Sequence, residues 1–181
     1  MTGTPVVIGG DDIVTALEAQ LKGNVPLVIE ALKLERLGEV KTWQVVPDAD
    51  AISAAQLPAV AIVTPRVSTQ PRGSHTEYSA DWEVSVGVFA RGKDHEETQT
   101  QIQAWAKVLR VAALLSRTLT GTRIEMRWAG ELYDLIPTKQ DARTIAGAEV
   151  LFDAHVDTAL DLTSLRRDPT LISVHPNVQP H

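Results

Sequence analysis

The stretch Glu77-Tyr78-Ser79-Ala80-Asp81-Trp82-Glu83-Val84-Ser85-Val86-Gly87-Val88-Phe89-Ala90-Arg91-Gly92-Lys93-Asp94 decides the fold. In it Tyr78, Ala80, Trp82, Val84, Val86 and Val88 alternate with Glu77, Ser79, Asp81, Glu83 and Ser85. Successive side chains of an extended chain point to opposite faces, so the pattern predicts a long strand with one buried and one wet face. Gly92 ends it. Asp94, with Glu97 three residues later, has the spacing of a capping box and predicts the start of a helix. The packed side of that helix is marked by Ile102, Trp105, Ala106, Leu109, Ala112, Ala113 and Ser116, whose small alanines let it lie close on a sheet. Gly121 lies beyond its end.

Gly87 to Asp94 is also one residue short of a phosphate-binding loop, and it stands where such a loop belongs, between a strand and a helix. The working motif closes on Ser or Thr, whose hydroxyl binds magnesium. Here Asp94 adds negative charge at that place, and Val88 continues the strand alternation instead of leaving it. The end of a strand and a capped first turn explain the same residues with nothing left over.

Outward from this core, Asp11-Asp12 precedes Ile13, Leu17 and Leu21, a helical spacing with carboxylates at the positive end of the helix dipole. A first helix from about Asp11 to Lys22 is expected. Gly23-Asn24-Val25-Pro26 breaks or kinks it, and Asn24 is placed to cap a second helical stretch that runs to Leu37, with Gly38 as a left-handed cap. The two pieces form a helical hairpin or one bent helix. After Trp43-Gln44-Val45-Val46 comes an alanine-rich connector, then the apolar run Pro58 to Val63, which reads as a buried strand. Pro65 to Thr76 carries Arg66 and Arg72 with no carboxylate and reads as a mobile basic loop.

Downstream, Ile124, Met126 and Trp128 alternate with Arg123, Glu125 and Arg127, and Ala148, Val150, Phe152, Ala154 and Val156 alternate with Glu149, Asp153, His155 and Asp157. Two more one-sided strands are predicted. Between them, Leu132 to Arg143 reads as a loop that docks on something. Thr163 to His181 holds three prolines and no periodicity, so an extended C-terminal tail is expected beyond a single α+β domain over residues 1–162. The predicted fold is α+β: a mixed, mainly antiparallel sheet, with a long helix and an N-terminal helical pair packed on one face.

Composition narrows the function classes. The 181 residues are 44% hydrophobic and 22% charged, the balance of a globular chain rather than a disordered one. No apolar run approaches the ~18 residues of a membrane span, and Met1 to Pro5 lacks the start of a signal peptide, so a soluble protein made in a cytosol is expected. The absence of cysteine excludes disulfides, thiolate nucleophiles and cysteine-based zinc sites. A net charge of −6 opposes wrapping of DNA or RNA, because such affinity rests on Lys and Arg neutralising phosphates.

Chemistry-bearing constellations are sparse. Asp153, His155 and Asp157 share one strand face, a conceivable hard-metal site, but a solvated sheet face explains them more simply. His95-Glu96-Glu97 lacks the second histidine of a metalloprotease helix, and no serine sits in a nucleophile elbow. Trp43, Trp82, Trp105 and Trp128 fall on or beside apolar faces, as core or interface anchors do. No catalytic residue, cofactor or metal site is expected.

The order of elements, and in particular Leu57 to Pro65, Tyr78 to Gly92 and Thr144 to Asp161 with Arg143-Thr144-Ile145-Ala146-Gly147-Ala148-Glu149-Val150-Leu151-Phe152, resembles the small tail terminator proteins of long-tailed bacteriophages. The resemblance spans about Asp12 to Leu162 in pattern and rests on degenerate motifs. It implies a homo-oligomeric, hexameric ring at the head-proximal end of the tail tube, in the virion's head-tail junction. Its implied partners are the tube protein and a head-closure or neck protein, with DNA passing through the lumen without specific binding and no membrane. Within that assignment the candidate contact arms are the loop with Arg66, Arg72 and His75 and the tail with Arg166, Arg167, Ile172 and Val174. A head-closure ring is the alternative in the same class. A small metal-dependent enzyme and a cytosolic binding adaptor are the alternatives outside it.

Overall fold

The strand that begins at Glu77 runs without a break to Arg91 and lies in the interior of the sheet. A computed structural model of the chain describes residues 6–46, 57–68, 71–73, 77–136 and 145–161. The elements in chain order are β1 (Val6–Val7), α1 (Gly10–Ala31), a 3-10 turn (Glu35–Leu37), β2 (Thr42–Val46), β3 (Ala59–Val67), β4 (Arg72–Gly73), β5 (Glu77–Arg91), α2 (His95–Leu114), β6 (Glu125–Ile136) and β7 (Ile145–Asp161). The main path of the sheet is β1-β7-β5-β3-β2, with β6 on β7 and β4 on β5. Every pairing is antiparallel except β2 with β3. The expected α+β class, with a mixed and mainly antiparallel sheet, is the one observed.

Both helices cover one face. Ala80, Trp82, Val84, Val86, Val88 and Ala90 of β5 stand opposite alternate residues of β7, including Phe152 and Ala154, and these meet Ile102, Trp105, Ala106 and Leu109 of α2 in one core. Small Ala112 and Ala113 are fully buried where α1 crosses α2. The expected Ser116 is exposed and lies past the helix end. The capping box forms with a shift: Asp94 accepts from the Glu97 amide at 2.8 Å, while the Glu97 carboxylate takes the Lys93 amide at 2.8 Å instead of that of Asp94.

The N-terminal helical pair is a single helix. Asn24 does not cap a second helix: its side-chain amide donates to the Ala112 carbonyl at 2.9 Å. One turn earlier, buried Gln20 donates to the Ala113 carbonyl at 2.7 Å and accepts from the Thr120 amide at 2.9 Å. α1 thus supplies donors to the end of α2, whose last carbonyls have no helical partner. Burial of Val25, Val28 and Ile29 on either side of Pro26 keeps the helix running through the proline, which forfeits only its own hydrogen bond. The helix then stops at Ala31, and Gly38, at φ +71°, closes the 3-10 turn rather than a second helix.

The described parts of two expected loops are mostly strand. β3 passes through Pro65 to Val67 because a bulge absorbs the proline: Val63 faces Ser85 and Arg66 faces Glu83, leaving two residues against Val84. β6 likewise runs on from Trp128 to Ile136 along β7. Most of the alanine-rich connector, the whole stretch 137–143 and the tail 163–181 lie outside the described residues. Among the described residues, no helix is long and apolar enough to cross a membrane.

Replacing Gln20 by Leu leaves the Thr120 amide and the Ala113 carbonyl without their partner in a buried place. Urea unfolding of Gln20→Leu is expected to show a loss of about 1–3 kcal/mol, with the folded spectrum retained.

Candidate assembly surfaces

Of the residues read as contact arms, Arg66 and Arg72 are on strands rather than in a loose loop. Arg66, near the end of β3, is highly exposed and pairs with Glu83 at 3.1 Å. Arg72 sits on β4, where its carbonyl accepts from the Ser79 hydroxyl at 3.2 Å. His75 and the tail residues Arg166, Arg167, Ile172 and Val174 lie outside the described residues. The described part of this basic, carboxylate-free stretch is held to β5 by backbone pairing, and Glu83 supplies a carboxylate to Arg66.

The near phosphate loop is accounted for by packing. Gly92 is buried, its amide donates to the Thr98 hydroxyl at 3.1 Å, and a Cβ there would come within 2.6 Å of the Thr98 backbone nitrogen. The glycine lets the strand end touch the first turn of α2. The amides of Lys93, Glu97 and Thr98 are engaged by the Glu97 carboxylate, the Asp94 carboxylate and the Asp94 carbonyl, so these three are not displayed to an anion.

On the wet face of the sheet, His155 bridges two strands. Its Nδ1 lies 2.6 Å from Asp81 on β5 and its Nε2 lies 2.9 Å from Asp157. Two carboxylates on two ring nitrogens describe an imidazolium donating twice, and the hydrogen bond to Asp81, then that to Asp157, raises the His155 pKa against a small opposing effect of burial. Asp153 faces Glu83 on one side and Arg127 on the other. Among the described residues no group of three or more His, Asp or Glu side chains is arranged to hold a metal. Nearby, hydrogen bonding to Arg127 and the charge of Arg117 hold the Glu125 carboxyl below its usual range.

The helix-side face of β6 carries a cluster that sequence patterning does not reveal. Trp128 is 51% exposed; its indole donates to the Gly130 carbonyl at 3.1 Å and the Arg110 guanidinium stacks on it, 4.6 Å from the ring centre. Arg110 pairs with Glu131 at 2.8 Å, and the other oxygen of Glu131 takes the Tyr133 hydroxyl, whose pKa is pushed up to about 12 by burial and by that bond. Of the four tryptophans, Trp105 and Trp82 are core, Trp43 is half-buried in a cleft beside α1, and Trp128 is displayed. The signal for the cluster is the set Trp128, Tyr133 and Arg110, concealed by a bulge: Trp128 faces Phe152 and Gly130 faces Leu151, so the inward parity changes from even to odd.

Comparison with known proteins adds a remote likeness. No protein-family model matches the chain, and no curated protein matches it. Among solved structures, a chain of the "virion of native gene transfer agent (GTA) particle" is similar at 14% identity, over 75% of this chain and 92% of that chain, with a TM-score of 0.43.

Two outcomes test the local chemistry. A folded-state pKa raised above the unfolded value means that His155 stabilises the fold fully below about pH 6.5 and loses that contribution as pH rises through its folded pKa. The stability gap between the wild type and His155→Phe, from urea unfolding, is therefore expected to narrow as pH rises above about 6.5. Gly92→Ala is expected to cost about 2 kcal/mol or more in the same assay, because backbone rather than a flexible side chain must move.

Proposed function

We propose that this chain is a non-enzymatic structural subunit of a phage-like virion, the tail terminator that forms a ring on the head-proximal end of the tail tube. The observation that carries the reading is the resemblance in the segments Leu57 to Pro65, Tyr78 to Gly92 and Thr144 to Asp161. These correspond to β3, β5 and β7, adjacent strands at the centre of the sheet. The stretches that look like the family are thus the framework itself rather than scattered surface.

The rest of the structure supports the reading by its physical character. A two-layer wedge with long antiparallel strands is stiff, and a stiff subunit with distinct edges suits heterologous contacts that close into a ring. Exposed Trp128 and Tyr133, braced by Arg110 and Glu131, have the composition of an interface rather than of a substrate pocket. His155, the natural candidate for chemistry, has both ring nitrogens engaged by carboxylates. The ring stops tube growth and offers its far side to the neck of the filled capsid, and a net charge of −6 suits a lumen that DNA slides through.

Electron microscopy of particles made without this protein is the test. Overlong, unjoined tails are the expected result. Tails of normal length on leaking heads would assign the chain to head closure instead, and intact infectious particles would remove it from the connector.

A further inference from the structure

The two outermost strands flanking the β7-β5-β3 centre carry opposite kinds of surface. On the β6 side stands Trp128 with Arg110 stacked on it; Lys107, three residues before Arg110 on α2, and Arg123, two residues before β6, are exposed. On the β2 side a cleft of about 430 Å³ opens between the C-terminal half of α1 and Trp43. Val25, Pro26, Ile29, Val40 and Trp43 make its apolar walls. Glu30, Glu35 and Glu39 are its acidic members, and none of the three forms an ion pair among the described residues. Lys22, its one cation among the described residues, is paired with Glu18 at 2.7 Å and lies 5.8 Å from the Trp43 ring centre. The exposed Lys33, Arg36 and Lys41 belong to the same stretch but do not line the cleft.

We propose that Trp128 and Arg110 of one copy dock into the Trp43 cleft of a second copy, a head-to-tail contact that repeats from subunit to subunit. It deepens the ring assignment and rests on it. The two surfaces belong to β6 and β2, which are separated by β7, β5 and β3. At the usual strand spacing that is roughly 19 Å, so Trp128 cannot fill the cleft of its own copy. The contact is intermolecular and joins unlike surfaces, the type that closes into a ring when the rotation allows.

Size and charge select this occupant. The cleft falls within the range of about 300–1,000 Å³ that accepts a compact group, and an indole is such a group. Three carboxylates at the cleft meet a guanidinium that is stacked on the entering ring and shared with Glu131, so the cation arrives with the aromatic group as one unit. The indole bond to Gly130 and the Arg110–Glu131 pair hold that unit in place beforehand, which limits the ordering cost of association.

Sedimentation of the purified full chain over a wide concentration range tests the contact. Trp128→Glu, and separately the pair Glu35→Lys with Glu39→Lys, are expected to weaken self-association roughly tenfold or more, since each sets like charges face to face. An equimolar mixture of the two is expected to assemble, because one junction is then charge-reversed and the next is native. As the chain has no cysteine, Tyr133→Cys, which keeps Trp128 and Arg110, mixed with Glu39→Cys provides a second readout that leaves charge patterning nearly intact, with a mixed disulfide dimer expected under mild oxidation. Wild-type self-association that survives every variant, with no mixed disulfide, would overturn this contact while leaving the ring assignment standing. A wild type that remains monomeric throughout would overturn both.

Discussion

Antiparallel pairing of β5 with β7 is the constraint on which the other elements depend. It runs from Glu77 opposite Asp161 to Arg91 opposite Ile145, and β3 and β4 attach to β5 while β1 and β6 attach to β7. A slip of β5 by one residue against β7 would turn Trp82 and Val84 to the wet side and bring Asp81 and Glu83 under α2. The register is pinned from both faces. Beneath the helices the apolar residues interdigitate, and on the opposite face His155 spans from β7 to Asp81 while Ser85 on β5 bonds to Glu149 on β7. The polar residues of the outer face therefore act as cross-strand ties as well as a solvated surface.

Much of this architecture is legible in the chain itself because local pattern and tertiary need agree there. Alternation in β5 and β7, the Asp94 cap and the apolar stripe of α2 are all cases in which one period serves both the backbone and the core. Legibility fails where a tertiary contact changes the local rule. Asn24 looks like a cap, yet its partner lies 88 residues away at Ala112, beyond any sequence window. Pro26 looks like a stop, but burial on both sides of it outweighs one missing hydrogen bond. The bulges near Pro65 and after Trp128 interrupt the period of two, and each interruption has the look of a strand end.

The candidate assembly surfaces are less visible for the same reason. Composition singles out Arg66 and Arg72 as basic and unpaired by sequence neighbours, but Glu83 and the β5 backbone are supplied from across the sheet. Conversely, Arg110 and Trp128 are far apart in the chain and belong to different elements, so nothing local announces that one stacks on the other. Surfaces defined by pairs of distant residues emerge only once the register is known. The bulge after Trp128 has a positive use in this light: by shifting parity it places Glu131 and Tyr133 on the same face as Trp128, which gives Arg110 its carboxylate.

The short β1 ladder carries a topological consequence. Val6 stands opposite Asp161 and Val7 opposite Leu160, so the first and last strands of the described fold are neighbours at one corner of the sheet. The path of the chain is nearly a closed circuit, with the two ends of the described fold separated by about one strand spacing, roughly 5 Å. Order along the chain is then almost independent of the packing: the same sheet and helices are compatible with a polypeptide cut elsewhere and sealed at this corner. The positions of Val6 and Asp161 thus give the two ends of the described fold a common point of departure.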